Sequence, residues 1–219
     1  MNPAPPVELS VLFANDALLI INKPGGLLSV PGRGPDKQDC VIHRVQQQFP
    51  DALIVHRLDM ATSGLLLLAR GAEMQRRLSM DFAERRVHKR YVALLQGELL
   101  PGELASTGDD WAEVNLPLSP DWPNRPRQKV DLAAGKASLT RFRVLSHSAG
   151  QTRVELEPVT GRTHQLRVHM LSLGFPVVGD ALYNPLCLDE RSPAPRLMLH
   201  ACSLHLPELG LQFESPPEF

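Results

Sequence analysis

The stretch from Ala52 to Ala69 constrains the fold more than any other part of the chain. Two apolar runs, Ala52-Leu53-Ile54-Val55 and Leu65-Leu66-Leu67-Leu68-Ala69, flank a polar centre, His56-Arg57-Leu58-Asp59-Met60-Ala61-Thr62-Ser63-Gly64. Short apolar runs bounded by turn residues read as buried strands. A charge at the centre of a buried β region is costly unless it is paired or used. Arg57 and Asp59 stand two apart, and residues i and i+2 of a strand share a face. Both heads are therefore predicted to project into one cleft, with Thr62-Ser63-Gly64 as the turn back to the sheet. A structural Arg–Asp pair explains this spacing as well as a catalytic carboxylate does.

The 219 residues make one large domain or two small ones, and 43% hydrophobic content is ordinary for a soluble enzyme. A formal net charge of −1 speaks against a generic nucleic-acid binder. The average hides a basic concentration: Arg70, Arg76, Arg77, Arg85, Arg86, Lys89 and Arg90 against Glu73, Asp81 and Glu84. On a helix such a run is usually a solvated face. Cys40, Cys187 and Cys202 lie far apart and form neither a metal signature nor a disulfide framework. Free thiols in a reducing cytosol are expected. The start, Met1-Asn2-Pro3-Ala4-Pro5-Pro6, lacks the features of a signal peptide, and no apolar run approaches the ~20 residues that span a bilayer. A cytoplasmic protein with no membrane partner follows.

In chain order, a proline-rich lead precedes two strands, Val11–Phe13 and Leu18–Ile21, around the turn pair Asn15-Asp16. Lys23 enters a Gly/Pro loop and is predicted to be a solvated surface lysine. A helix is predicted over Asp39–Gln48 and another over Ala72–Arg86, the latter with Met74, Leu78 and Phe82 as its core stripe. Val87–Gln96 alternates like a strand, with Lys89, Tyr91 and Ala93 on one face. Residues 97–121 read as an acidic loop. In Asp121-Trp122-Pro123-Asn124-Arg125-Pro126-Arg127-Gln128-Lys129 an aromatic stands beside cations. Such a loop either stacks on and clamps an RNA backbone or uses its tryptophan to anchor itself to the core. Ala137–Leu145 and Thr152–Pro158 read as a hairpin. Thr163 is predicted to cap a helix with Leu166, Met170 and Leu173 buried and Gly174 stopping it. Val177–Asp180 reads as a short strand, Leu186–Pro195 as a loop, Arg196–Leu206 as a long strand and Leu211–Phe213 as a final one.

There is no dinucleotide or phosphate-loop glycine motif, no Gly-x-Ser-x-Gly elbow and no helical His pair for zinc. A glycosidase would need a second carboxylate beside Asp59, and Asp180, the obvious candidate, reads better as a turn residue.

His56 to Gly64 resembles the HRLDxxTSG signature of the RluA family of pseudouridine synthases. Asn22-Lys23-Pro24-Gly25-Gly26-Leu27, Lys89-Arg90-Tyr91-Val92-Ala93 and Gly161-Arg162-Thr163-His164-Gln165-Leu166-Arg167-Val168-His169 resemble three further family segments, in the family's order. Asp121 to Val130 is similar to the short RluA subgroup in particular. The resemblance implies an α+β fold: a mixed, largely antiparallel sheet with flanking helices and a central RNA-binding cleft. It implies a single catalytic domain over 1–219 with no S4-like domain before it, and a monomer. It implies an isomerase that turns uridine into pseudouridine with no cofactor and no metal, in a tRNA anticodon stem-loop and in 23S rRNA. Asp59 is then the essential carboxylate, with attack on the sugar, addition to the base and a glycal route all open. Arg162 is its cationic partner and Tyr91 stacks on the uracil and serves proton transfer at C5. Arg57 enters the RNA as the target base is extruded, at a cost of a few kcal/mol. His56, Lys89, Leu166, Arg125 and Lys129 complete the expected substrate contacts, Leu166 as a pocket wall or as mere helix core. The expected RNA surface is a basic cleft built from Arg57, Arg76, Arg77, Arg85, Lys89, Arg125 and Lys129. The rivals are an rRNA-only synthase, an idle RNA-binding or ribosome-assembly factor, and a sugar-acting hydrolase.

Overall fold

Leu18–Ile21 and Leu65–Leu68 are each at most 1% exposed, so both faces of their strands are covered. That is the pattern continuous apolar runs predict. The computed structural model describes residues 9–100, 110–184 and 194–219. The proline-rich lead, the 101–109 part of the acidic segment, and Cys187 with most of its loop lie outside the described residues. The chain divides into two compact units, Met1–Glu84 and Arg85–Phe219.

In the first unit, strands β1 (Ser10–Ala14), β2 (Leu18–Lys23), β3 (Ala52–Ile54) and β4 (Ser63–Arg70) accompany helices α1 (Val41–Gln46) and α2 (Ala72–Ala83). Central β4 pairs antiparallel with β2 and with β3, and β1 pairs with β2. Burying Leu65 to Leu68 stabilises this unit by roughly 6–12 kcal/mol at about 1.5–3 kcal/mol per side chain, an upper bound. Gly64 opens β4 at φ 109, a conformation side chains rarely adopt, which accounts for a glycine at the end of the signature. Both helices are shorter than predicted. Helix α2 stops because Glu84 leaves helical geometry and Arg85 takes φ 61. Its stripe holds: Leu78 is buried, Met74 and Phe82 half-buried.

In the second unit, β5 (His88–Gln96), β6 (Ala112–Asn115), β7 (Leu118–Pro120), β8 (Gln128–Val130), β9 (Leu139–Ser148), β10 (Gln151–Pro158), helix α3 (Gln165–Ser172), β11 (Leu199–Leu206) and β12 (Leu211–Glu214) follow in order. An antiparallel sheet runs β12-β11-β5-β10-β9-β6, and β7 and β8 form a separate ribbon. The α+β expectation holds, with its predominantly antiparallel sheet. The 97–121 segment is not all loop: β6 and β7 lie within it, Val114 and Leu118 supplying the buried positions that a reading of its acidic residues passed over. Val177–Asp180 is a turn rather than a strand, bridged only at Val177 to Leu95. Asp180 is 1% exposed and grips Arg167 through two 2.7 Å bonds. Among the described residues, no helix is long and apolar enough to cross a membrane.

Candidate active site

The signature is not a strand. Residues 55–62 leave β3 as irregular backbone, close a turn through the Thr62 N–H to the Asp59 carbonyl (3.1 Å), and only then enter β4. Strand logic therefore does not set Arg57 and Asp59 on one face: Arg57 is exposed, Leu58 buried and Asp59 half-buried. What holds this loop is a set of bonds to the Gly/Pro loop after β2. Ser29 Oγ donates to the Leu58 carbonyl (2.8 Å) and accepts the Leu58 N–H (3.1 Å). The Met60 carbonyl accepts the Gly26 N–H (2.9 Å). The backbone on both sides of Asp59 is thus pinned, and Asp59 itself is half-buried.

Lys23 completes the clamp. It is 1% exposed, and its Nζ donates to the carbonyls of Pro24 (2.8 Å), Leu27 (2.8 Å) and Met60 (3.0 Å). An ammonium has three N–H donors and no acceptor, so these carbonyls use it fully. Burial pulls its pKa from 10.5 down to about 7, and the Asp59 carboxylate opposes that pull. The lysine expected from the sequence to be solvated is therefore buried. Strand β2 continues through Asn22 and Lys23, paired with Leu65 and Gly64, and carries the residue inward. The available signal was that only Asn22 separates Lys23 from an apolar strand, with no turn between.

His56 serves the same clamp. Its Nε2 accepts the Leu67 N–H (3.0 Å), so that nitrogen carries no proton, and its ring stacks on Phe82 at 4.5 Å. The imidazole thereby ties the loop to β4 and α2.

In the second unit, Lys89 and Tyr91 lie two apart on β5. Tyr91 is 9% exposed, opposite Leu156 of β10 and Ala201 of β11. Burial lowers the pKa of Lys89. Arg162 is exposed in the turn before α3, its Nε donating to the Ala137 carbonyl (3.3 Å). The turn is organised by Gln165, 3% exposed. Its Oε1 accepts from Thr160 Oγ1 (2.7 Å) and the Arg162 N–H (3.0 Å), while Nε2 donates to the Leu139 carbonyl (2.9 Å) and Thr140 Oγ1 (3.0 Å). An amide with all these groups used explains the glutamine of the motif better than substrate contact does. Thr163 does not cap α3. His164 occupies that position in the left-handed region (φ 54), its Nδ1 2.7 Å from the Tyr183 hydroxyl. The helix ends as predicted: Gly174 (φ 89) bonds back to Leu171 (2.9 Å) and Phe175 to Met170 (3.1 Å). Leu166 is 7% exposed, as helix-core packing requires. His169, fully buried between Thr140 Oγ1 (2.9 Å) and the Leu116 carbonyl (3.0 Å), is held below its usual pKa by burial and is a structural neutral imidazole.

Arg125 and Lys129 are exposed on the β7–β8 ribbon. Trp122 is exposed too, at 65%, so it does not anchor the loop to the core.

Residues 17–172, which contain all four signature segments, match the pattern of the RNA pseudouridylate synthase family. The chain belongs to that family. It is 45% identical over 226 residues to the dual-specificity RNA pseudouridine synthase RluA of Escherichia coli strain K12, covering 100% of this chain and 98% of the relative. Its identity to the protein of the same name from Haemophilus ducreyi is 48% over 204 residues, 91% of this chain and 88% of that one. Of the solved structures, human RNA pseudouridylate synthase domain containing 1 matches 100% of this chain and 87% of its own with a TM-score of 0.79 and 30% identity. Human RNA pseudouridylate synthase domain containing 4 matches with a TM-score of 0.74 and 25% identity, covering 95% and 89%. Within the family the chain is an RluA-type RNA pseudouridine synthase, an isomerase that acts on RNA.

Proposed function

We propose that the chain converts uridine to pseudouridine in two RNAs, a tRNA anticodon stem-loop and 23S rRNA, in the cytoplasm and as a monomer, with both units serving as one catalytic domain. The observation that carries the chemistry is that half-buried Asp59 stands on a backbone pinned by Lys23, Ser29 and Gly26. A group that must meet one bond of a bulky substrate benefits from such fixation. Support for two targets comes from the full-length relatives, whose name is dual-specificity RNA pseudouridine synthase. The buried, unpaired thiols of Cys40 and Cys202 suit a reducing compartment.

The reaction breaks the N1–C1′ bond, turns the base and forms a C1′–C5 bond. N1 gains a proton and C5 loses one, so the step is redox-neutral. In this reading Asp59 supplies the carboxylate at the sugar–base junction and Arg162 is its cationic partner. Tyr91 stacks on the uracil and moves the C5 proton. Arg57, exposed beside the pinned turn, fills the space left by the extruded base. Lys89, Arg125 and Lys129, with Arg76, Arg77 and Arg85 of the basic run, contact phosphates. His56 and Leu166 complete the substrate contacts of this reading.

The test is tritium release from RNA labelled at uridine C5, on an anticodon stem-loop and on a 23S rRNA fragment. Release by the wild type from both, and none by Asp59→Ala, is the expected result. Release from rRNA alone removes the tRNA half of the reading. No release from either RNA by a protein that still binds both returns the chain to a binding role.

A further inference from the structure

Trp122 is 65% exposed, whereas Trp111, the other of the two tryptophans, is 7% exposed. An indole has a large apolar area and normally buries it. The loop that displays Trp122 is firmly built. The Asp121 N–H donates to the Arg127 carbonyl, the Arg127 N–H to the Asn124 carbonyl and the Asn124 N–H to the Asp121 carbonyl, each at 3.0 Å. Asn124 Nδ2 donates to Asp121 Oδ2 at 2.9 Å, which occupies the loop's own carboxylate. Pro123 and Pro126 restrict the backbone further. The Arg125 guanidinium lies 3.2 Å from the centre of the Trp122 ring. Arg127 and Lys129 are exposed beside it, so the loop is positive.

Its base is tied to the turn of Arg162. Tyr183 accepts the Gln128 N–H at 2.7 Å, and the same hydroxyl lies 2.7 Å from His164 Nδ1, two residues after Arg162. Arg127 also donates to the Leu182 carbonyl. Leu118, Val168 and Tyr183 pack together between the ribbon and α3.

We propose that Trp122 and Arg125 form a stacking platform for an unpaired base of the RNA substrate. The proposal rests on the synthase reading above and adds a binding residue to it. A rigid, exposed indole with a guanidinium stacked on one face offers its other face to the base, and the guanidinium offers charge to the phosphate. Every base has such a face, so the platform selects a splayed-out nucleotide rather than a particular base. Because ribbon and α3 share Tyr183, a base held there is held in register with Arg162.

The experiment measures tritium release and intrinsic fluorescence together, on stem-loops carrying single abasic nucleotides. Trp122→Ala raises KM by about 5- to 150-fold, the range of base–aromatic stacking, with the loss carried by KM rather than kcat and with Tm unchanged. Trp122→Phe shows a smaller rise. RNA quenches wild-type tryptophan fluorescence, and this quench is missing in Trp122→Phe, where Trp111 remains. At one abasic position the wild type and Trp122→Ala become equal, which identifies the stacked base. Equal KM for wild type and Trp122→Ala on intact RNA overturns the proposal, as does a quench that persists in Trp122→Phe. A Trp122→Ala effect on oligomeric state alone also overturns it. If Trp122→Ala misfolds, Trp122→Phe and the abasic series decide. If no RNA releases tritium yet the Trp122 quench is present, the platform stands and the target reading falls. If the wild type turns over while Trp122 stays unquenched, only the platform falls.

Discussion

The Asp59 loop and the Trp122 loop each connect two strands, and each is held by the opposite strategy. The first is pinned from inside: a buried ammonium takes three carbonyls, and Ser29 takes both backbone groups of Leu58. The second is pinned along its own rim, by the Asp121–Asn124–Arg127 bonds and by Tyr183 at its base, and leaves its largest apolar side chain in water. A group that does chemistry tolerates little positional error, so its support is buried and charged. A group that collects a mobile RNA base has to be displayed.

The sharpest break in this comparison is Asp59→Ala, which should cut tritium release on the order of 10⁴-fold while the protein still folds and binds RNA. Lys23→Met comes next. It strips the Pro24 and Leu27 carbonyls of their donor and should cost about 2–4 kcal/mol in denaturant melts, with kcat falling as the Asp59 loop loosens. A melt as stable as the wild type's would show that the clamp contributes nothing.

The same lysine predicts a pH dependence. Its pKa is about 7 folded against 10.5 as the ordinary value, so between those limits the unfolded chain holds more protons. The contribution of Lys23 to stability therefore grows as pH rises from about 7 towards 10.5, and is lost as pH falls through about 7. Wild type minus Lys23→Met, melted across that window, should show this rise; a flat difference would refute it.

Tyr183→Phe sharpens the other side. It removes the partner of the Gln128 N–H and of His164, costs about 1–2 kcal/mol, and should raise KM more than it lowers kcat. The smallest effect is that of Lys129→Ala. Removing one cation from the phosphates of single-stranded RNA should lower the slope of log affinity against log salt by about 0.7 and weaken binding only a few-fold. A slope that does not move would show that Lys129 does not touch the RNA.

Strands β2, β4, β5, β9, β10 and β11 were legible because their apolar positions follow a period that burial enforces. The end of α3 was legible because Gly174 closes it by local geometry. His56, Asp59, Tyr91 and Arg162 could be picked out as candidates because uncommon residue types recur in a known order. The burial of Lys23 was not legible. Its three acceptors come from Pro24, Leu27 and Met60, and the last lies far along the chain. Nor was the cap of α3, where a threonine of good propensity yields to His164 because the Tyr183 hydroxyl and the side chain of Gln165 organise the turn. Local propensity and periodicity act over a few residues, so the sequence alone determined most of the strands, the signature and the family. Tertiary structure decided that the signature is a pinned loop, that one lysine is interior, and that one tryptophan is buried while the other faces solvent. Those outcomes depend on hydrogen-bond partners and packing surfaces that meet only when distant segments fold together.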